Sequence, residues 1–283
     1  MSVPLSQIGL RTTALRDNVR VFTLGGESIE TSYGANCTAV AGRESVLLVD
    51  PLIAPAYARH IEAAVGSWTP LPIRFVLVTH HHTDHALGAG YFADSGATVI
   101  AHAACRDRMA AEHQALIESR RRQPHLADLF ADAEAYRPAI VFEKDLAFDL
   151  GGTQVRVLHP GPGHTSGDAF LYLPAESAAI CGDLVSSGYH VNYEDASVEN
   201  LARGLELLHA LDVRTYVPGH GPLGGLELLA AQARYHSTVR SAVERISEEA
   251  ELIAFLRTAF PGFLLGEVLS SSSTAWKGAS AEP

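Results

Sequence analysis

The densest group of chemically competent side chains in this chain is the run from His80 to His85, which reads HHHTDH. Imidazole nitrogens and carboxylate oxygens are common ligands of borderline divalent metals such as zinc. Neutral imidazole and ionised carboxylate are both available near pH 7, so no unusual pKa is required. Because residues two apart in an extended chain point the same way, His80 and His82 can bind one ion together. Asp84 and His85 follow the strand end, where a loop can turn them toward a second ion.

An apolar segment of β type, residues 73–78, leads directly into this run. A histidine cluster can also be a solvated loop, and a lone histidine is usually an ordinary surface or core residue. Four histidines and one aspartate at the mouth of a buried strand do not fit that description, because burying them without partners is costly. The sequence therefore favours a metal site at this strand end.

Three more strand-to-loop junctions each carry a residue of ligand type. His164 lies in the turn-rich sequence PGPGHTSGD, Asp183 follows a predicted strand at 178–181, and His220 follows a predicted strand at 214–217. Loops at one edge of a sheet are a common place for sites, because the strands fix the geometry and the loops supply the chemistry. Each residue alone is an ordinary turn residue, but together with HHHTDH they complete a set.

The motif HxHxDH, followed in order by these three residues, resembles the metallo-β-lactamase superfamily over about residues 19–222. The resemblance implies one metal site with three histidine ligands, a second site with an aspartate and two histidines, and an aspartate that bridges both ions. In that order the residues are His80, His82 and His164; Asp84, His85 and His220; and Asp183. The cofactors we expect are two Zn²⁺ ions, with iron or manganese as alternative divalent metals.

The resemblance also implies an α/β fold. The family's architecture is an αβ/βα four-layer sandwich, in which two mixed β-sheets lie face to face with helices outside. We expect residues 1–265 to form a single domain of this kind. The serine-rich and small-residue segment 266–283 is typical of a mobile C-terminal tail.

The chemistry implied by such a site is hydrolysis. Two zinc ions held roughly 3.5–4 Å apart would share a water whose pKa falls toward about 7, which makes hydroxide at neutral pH. That hydroxide attacks an acyl centre, and Asp84 is the predicted catalytic residue that orients it as well as binding metal. The substrate class we favour is a small lactone, ester or thioester, and the enzyme is then a dinuclear metallohydrolase.

The segment after Asp183 is the best candidate for a substrate-facing loop. It carries hydroxyl and imidazole side chains that could contact a substrate, namely Ser186, Tyr189, His190 and Tyr193. For the two tyrosines, ordinary packing of an amphipathic loop is an equally good explanation.

Several related activities remain as alternatives. A β-lactam hydrolase would share the fold, although such enzymes are normally exported. An iron-dependent oxidoreductase similar to the persulfide dioxygenases would keep a single iron, which the complete second site disfavours. Hydroxyacylglutathione hydrolases bind glutathione with basic residues near their C-terminus, whereas residues 244–251 here read ERISEEAE. A binding protein with a vestigial site is disfavoured by seven intact ligand-type residues.

Composition restricts the partners. The chain has 32 acidic and 21 basic residues and a formal net charge of -11, which repels nucleic acid phosphates and leaves a small molecule as the expected partner. Residues 1–20 lack the apolar core of a signal peptide, and no stretch is apolar enough to span a membrane. We therefore expect a cytoplasmic enzyme. The oligomeric state is left open, a homodimer included.

A long amphipathic helix is predicted over residues 103–123, with a second helical piece over 124–138. Arg120, Arg121 and Arg122 form the only dense basic run in the sequence. The position of this run near the end of the predicted helix indicates a solvated helix terminus.

Overall fold

The computed structural model describes residues 9–279, with side chains described through Trp276. Within these residues the strands form two sheets, of seven and five strands. The first sheet has the order β1 to β7, with strands Arg11–Arg16, Val19–Thr23, Asn36–Ala41, Val46–Val49, Ile73–Val78, Thr98–His102 and Ile140–Phe142. The second has the order β12-β11-β10-β9-β8; numbered along the chain, β8 to β12 are Leu146–Asp149, Gln154–Leu158, Phe170–Leu173, Ala178–Ile180 and Thr215–Val217.

The helices connect these strands or follow them. In chain order, α1 to α8 are Pro55–Trp68, Thr83–Ala86, Ala89–Asp94, Ala103–Arg121, Leu201–His209, Glu227–Val243, Glu249–Ala259 and Leu269–Ala279. Short 3₁₀ turns occur at Ile29–Gly34, Gly182–Leu184 and Gly266–Val268. Within the described part of the chain, no helix is long and apolar enough to cross a membrane.

Both sheets are mixed, and the alternation of side chains along the strands builds the layers. Strand β4 is buried throughout: Leu47 and Val49 face the second sheet, whereas Val46 and Leu48 pack on the helical side. This is what a strand with both faces covered requires, because successive side chains point to opposite faces. The parallel pairing of β4 with β5, and of β5 with β6, continues the same pattern.

The second sheet repeats the arrangement on the other side. Val155 and Leu171 contribute to the core between the sheets, whereas Phe170 packs outward with Leu205 and Leu208 of α5. The order of layers is therefore helices, sheet, sheet and helices. The predicted αβ/βα four-layer sandwich is confirmed.

The two sheets are joined at the edge where the candidate ligands lie. Asn36, at the start of β3 in the first sheet, donates three hydrogen bonds to the loop after β12. Its backbone N–H donates to Gly219 O at 2.8 Å, and its side-chain amide donates to Pro218 O and Gly221 O at 2.9 and 2.8 Å. The Ala169 N–H donates to Thr79 O at 2.8 Å, which connects the end of β5 to the start of β10. These bonds attach the loop after β12 to the first sheet and the end of β5 to the second sheet.

Two segments differ from the sequence-based predictions. Residues 124–138 form turns and extended chain, not the predicted helix. Arg121 donates side-chain hydrogen bonds to carbonyls of residues 130–133, which stabilise the non-helical turn. The predicted tail from residue 266 is a 3₁₀ turn followed by α8, which packs on α6 and α7 with Leu269 fully buried. Residues 280–283 lie outside the described residues, and the single domain over 1–265 stays a prediction.

A buried histidine in the C-terminal helices is held in one protonation state. Gln232 accepts a hydrogen bond from Ser186 N through Oε1, so its amide nitrogen donates to His236 Nε2 at 3.0 Å. His236 Nδ1 then donates to the Tyr193 hydroxyl at 2.6 Å. Burial lowers the pKa of His236 from 6.5 to about 4, because a second proton would be desolvated and would point at an amide donor.

We predict that stability falls between pH 7 and pH 5 and that His236→Gln reduces this dependence by about 2 kcal/mol. The sign follows from the lowered pKa: the unfolded chain binds a proton below about pH 6.5, and the folded protein resists it until about pH 4. Urea unfolding of the metal-free protein at both pH values measures the effect. His209→Gln, at an exposed position, is the control; an equal change in that variant would contradict the assignment.

Candidate metal centre

Three histidines from two loops converge at the end of β5. His82 Nδ1 lies 3.1 Å from His80 Nε2 and 3.0 Å from His164 Nε2. Asp183 Oδ2 lies 3.4 Å from His164 Nε2 and 3.9 Å from His80 Nε2. Ligand atoms around a tetrahedral ion with bonds of about 2.0–2.1 Å are separated by about 3.3 Å. The four side chains therefore have the spacing of a metal-binding group.

A second group lies beside the first. His220 Nε2 is 3.3 Å from Asp84 Oδ2 and 3.3 Å from His85 Nε2, and His85 Nε2 is 3.4 Å from Asp84 Oδ2. Asp84 and His85 come from the short helix α2, which starts directly after His82 and turns both side chains inward. All three residues are buried.

Asp183 lies between the two groups. Its Oδ1 is 3.2 Å from His85 Nε2, and its Oδ2 is 3.3 Å from His220 Nε2 as well as facing His164. Close packing holds this carboxylate in place: a Cβ on Gly219 would lie 1.8 Å from Asp183 Oδ1, so only glycine fits there. Asp183 therefore lies within reach of both groups, and its bridging role stays a prediction.

The tautomers of the histidines leave lone pairs pointing at one another. His85 Nδ1 donates to Asp50 Oδ2 at 2.9 Å, and His220 Nδ1 donates to Tyr33 O at 2.9 Å. A neutral imidazole has one N–H, so both Nε2 atoms, 3.3 Å apart, are then acceptors without a donor. Asp183 Oδ1 also lacks a hydrogen-bond donor. This donor set fits a cation, since a cation satisfies all of these atoms at once.

The charges of the two groups differ. Burial lowers the pKa of His164 to about 3, and burial together with His85 lowers the pKa of His80 well below its ordinary value. Burial acts in the same direction on His85 and His220, but Asp183 outweighs it and raises the pKa of both. The part of the site around Asp84, His85 and His220 therefore attracts positive charge most strongly.

Asp50 supports both groups from below, a role that the sequence did not reveal. It follows β4, and its carboxylate accepts hydrogen bonds from Thr79 N at 2.8 Å and Thr79 Oγ1 at 2.7 Å in addition to the bond from His85. Thr79 Oγ1 in turn contacts His80 Nδ1 at 3.0 Å. Asp50 has a left-handed backbone, with φ of 55°. A carboxylate directly after the neighbouring buried strand was the available signal.

Asp195 supports the first group from the other side and was also missed. Its Oδ2 accepts a hydrogen bond from His82 Nε2 at 3.0 Å, and its Oδ1 accepts one from Arg108 Nη2 at 2.6 Å. The adjacent rings of His81 and His82 hold the pKa of Asp195 well below its ordinary value. His81 lies outside both ligand groups, with Nε2 3.4 Å from Asp195 Oδ2. The alternation predicted for His80 and His82 is therefore observed.

A cavity of about 560 Å³ opens above the two groups. Ser186 and His190, predicted to face the substrate, line it. Its walls also include Tyr33, Arg108 and Arg120, which lie far from the ligand motifs in the sequence and were not predicted.

Tyr189 and Tyr193 do not line this cavity, so their predicted substrate role is corrected. The Tyr189 hydroxyl donates to Gly26 O at 2.9 Å, and its ring packs 5.5 Å from that of His220. Tyr193 is fully buried among the C-terminal helices and contacts His236. Both aromatic rings face the core, because burying their large apolar surface is more favourable than exposing it to solvent in the loop.

The chain is similar to several known proteins. A family model described as the metallo-beta-lactamase superfamily matches residues 31–220. The chain is 27% identical over 184 residues to the 2,4-dinitroanisole O-demethylase subunit alpha of a Nocardioides species, covering 64% of this chain and 51% of that protein. It is 28% identical over 217 residues to a hydroxyacylglutathione hydrolase of Methylococcus capsulatus, covering 76% of this chain and 70% of the relative.

Solved structures show the same fold. A metallo-beta-lactamase from Pontibacter korlensis superposes with a TM-score of 0.67 at 20% identity, covering 81% of this chain and 99% of that one. The chain spans about half the length of the demethylase subunit.

We predict that His82→Ala lowers the metal bound per chain by about one ion, because it removes a central nitrogen of the first group. Elemental analysis after dialysis against metal-free buffer measures the content. His209→Ala, at an exposed position, is the matched control. Full metal content in His82→Ala would remove His82 from the ligand set.

We predict that Asp50→Asn weakens metal binding by about 10- to 100-fold, because an amide cannot accept all three hydrogen bonds that orient Thr79 and His85. Competition with a chromogenic chelator measures the affinity, and thermal unfolding of the metal-free variant reports its folding. Asp145→Asn, at an exposed site, is the control. Equal affinity in Asp50→Asn and Asp145→Asn would show that Asp50 does not position the ligands.

Proposed function

The chain belongs to the metallo-beta-lactamase superfamily, and on that basis we propose that it is a zinc-dependent hydrolase of acyl substrates, with thioesters as the preferred class and esters and lactones as related substrates. The observation that carries this proposal is the pair of ligand groups sharing Asp183 at the floor of a cavity. An acyl group of moderate size can reach both groups from this cavity.

The seven ligand-type side chains form two sets, one for each proposed ion. We assign His80, His82 and His164 to one ion and Asp84, His85 and His220 to the other, with Asp183 shared. Bound ions of this kind supply a water of lowered pKa and polarise the acyl carbonyl. Asp50 and Asp195 hold the imidazoles in the tautomers that direct the lone pairs toward the ions.

Asp84 is the residue that we propose to act on the attacking water. It lines the cavity, and its carboxylate is within 3.4 Å of His85 Nε2 and 3.3 Å of His220 Nε2. Burial raises its pKa, but His85 and His220 lower it further, so Asp84 is ionised at neutral pH. An ionised carboxylate accepts a hydrogen bond from water and orients the oxygen lone pair toward the acyl carbon.

Two facts support a thioester. The relative that covers 76% of this chain is named a hydroxyacylglutathione hydrolase, and a thiolate leaving group is a good ligand for zinc. Residues 244–251 do not line the cavity; Glu249 and Glu251 lie in the first turn of α7, where the helix dipole favours them. We therefore leave the identity of the thiol open. A cytoplasmic location and a homodimer stay predictions.

The test is turnover by protein stripped of metal and reloaded with zinc, iron or manganese. We expect the zinc form to hydrolyse acyl thioesters, and we expect Asp84→Asn to lower kcat by about 10²- to 10⁴-fold while the chain stays folded. Aryl esters, lactones and β-lactams complete the substrate panel. Hydrolysis of β-lactams alone would favour the β-lactam alternative, and tight binding of one iron without hydrolysis would favour the oxidoreductase.

A further inference from the structure

Two guanidinium groups lie on the cavity wall, and their surroundings differ. Arg108 donates to Asp195 Oδ1 at 2.6 Å and also pairs with Glu112. Its charge is therefore neutralised by neighbours. For Arg120, no carboxylate partner is found among the residues that the structure describes, and its buried Nε has no hydrogen-bond acceptor there.

The neighbours of Arg120 in the sequence have other roles. Arg121 donates to carbonyls of residues 130–133 and stabilises the turn after α4, whereas Arg122 is exposed. Arg120 Cζ lies 5.5 Å from the centre of the Phe130 ring, a contact that restricts the orientation of the side chain. The basic run is therefore not a uniform solvated helix end, because its first member faces the cavity.

Tyr33 connects Arg120 with the metal centre. Its backbone carbonyl accepts the hydrogen bond from His220 Nδ1, and its side chain lines the cavity. Burial raises the pKa of the Tyr33 phenol, Arg120 opposes this rise, and Asp84 adds to it. The Tyr33 side chain lines the same cavity as Arg120 and Asp84, so its hydroxyl can act as a hydrogen-bond donor there together with the guanidinium.

We infer that Arg120 and Tyr33 form a carboxylate-binding subsite, and that the acyl substrate carries one carboxylate at the end remote from the scissile bond. This inference rests on the proposed function and names the substrate class within it. A guanidinium and a hydroxyl together offer the donors that a carboxylate accepts. A half-buried cation without an anion is unfavourable, and bound substrate relieves that cost.

The charge of the rest of the cavity wall favours a substrate with a single negative charge. Glu112, Glu194, Asp195 and Glu267 line the same cavity, and the chain carries a formal net charge of -11. A dianion such as a phosphate monoester would be repelled by these groups after Arg120 had neutralised its first charge. One carboxylate matches one unpaired guanidinium.

The test compares two thioesters of benzyl mercaptan that differ only at the far end. One carries the carboxylate of adipic acid and the other carries the corresponding carboxamide, and thiol release is followed with a disulfide dye. We expect kcat/KM for the carboxylate to exceed that for the carboxamide by about 10- to 100-fold. Arg120→Gln should bring this ratio close to one, mainly through KM.

The controls separate charge from packing. Arg122→Gln should keep the full ratio, because its side chain is exposed. Arg120→Lys should keep part of the preference for the carboxylate, because the charge remains without the planar pair of donors. If Arg120→Gln does not fold, Arg120→Lys replaces it in the comparison. An equal ratio in Arg120→Gln and the unaltered protein would overturn the inference, as would equal hydrolysis of both thioesters by the unaltered protein.

Failure of the proposed function would be recognised separately. If the zinc form hydrolyses neither thioester, calorimetric titration with the monoamide of adipic acid, which carries a single carboxylate, tests the subsite alone. Binding weakened about 10-fold in Arg120→Gln and unchanged in Arg122→Gln would support the carboxylate subsite without hydrolysis. Equal binding by the three proteins would overturn it.

Discussion

The structure depends on keeping imidazoles and carboxylates close together at largely buried strand ends beneath the cavity. His80, His85 and His164 are almost fully buried, and each has a nitrogen directed at a carboxylate or at another imidazole. Burial of such groups is unfavourable unless every lone pair and proton has a partner. The carboxylate of Asp50 accepts a hydrogen bond from His85 Nδ1, and the backbone carbonyl of Tyr33 accepts one from His220 Nδ1. A cation is the partner that would satisfy the others.

The floor and the walls of the cavity come from different parts of the chain. The floor is built from strand ends of the two sheets, within the segment that matches the superfamily. Part of the wall comes from Leu265, Glu267 and Val268, which lie beyond residue 220, where that match ends. All seven candidate metal ligands therefore lie within the segment that matches the superfamily, whereas part of the cavity wall lies beyond it.

The sequence was informative where chemistry is encoded locally. The seven ligand-type residues lie at ends of predicted strands or in turn-rich loops, and turn glycines mark three of their positions, so their convergence could be predicted. Asp195 and Arg120 could not, because their contacts depend on how a long loop and a helix pack onto the site. Tyr193 was misplaced since an aromatic residue in a polar loop has the same pattern whether it faces a cavity or the core. Helix α8 was missed because serine is a weak helix former, and the packing of Leu269 supplies the stabilisation that propensity lacks.

The turn that carries Ser32 and Tyr33 has both residues in the left-handed region, with φ of 53° and 52°, which costs about 1–2 kcal/mol for each residue. This peptide unit orients a histidine through its carbonyl and contributes a side chain to the substrate cavity. Evolution of a new specificity through Tyr33 is therefore pleiotropic. A substitution of Tyr33 that changes the cavity wall also changes the backbone preference of the turn, and with it the position of the carbonyl that accepts from His220.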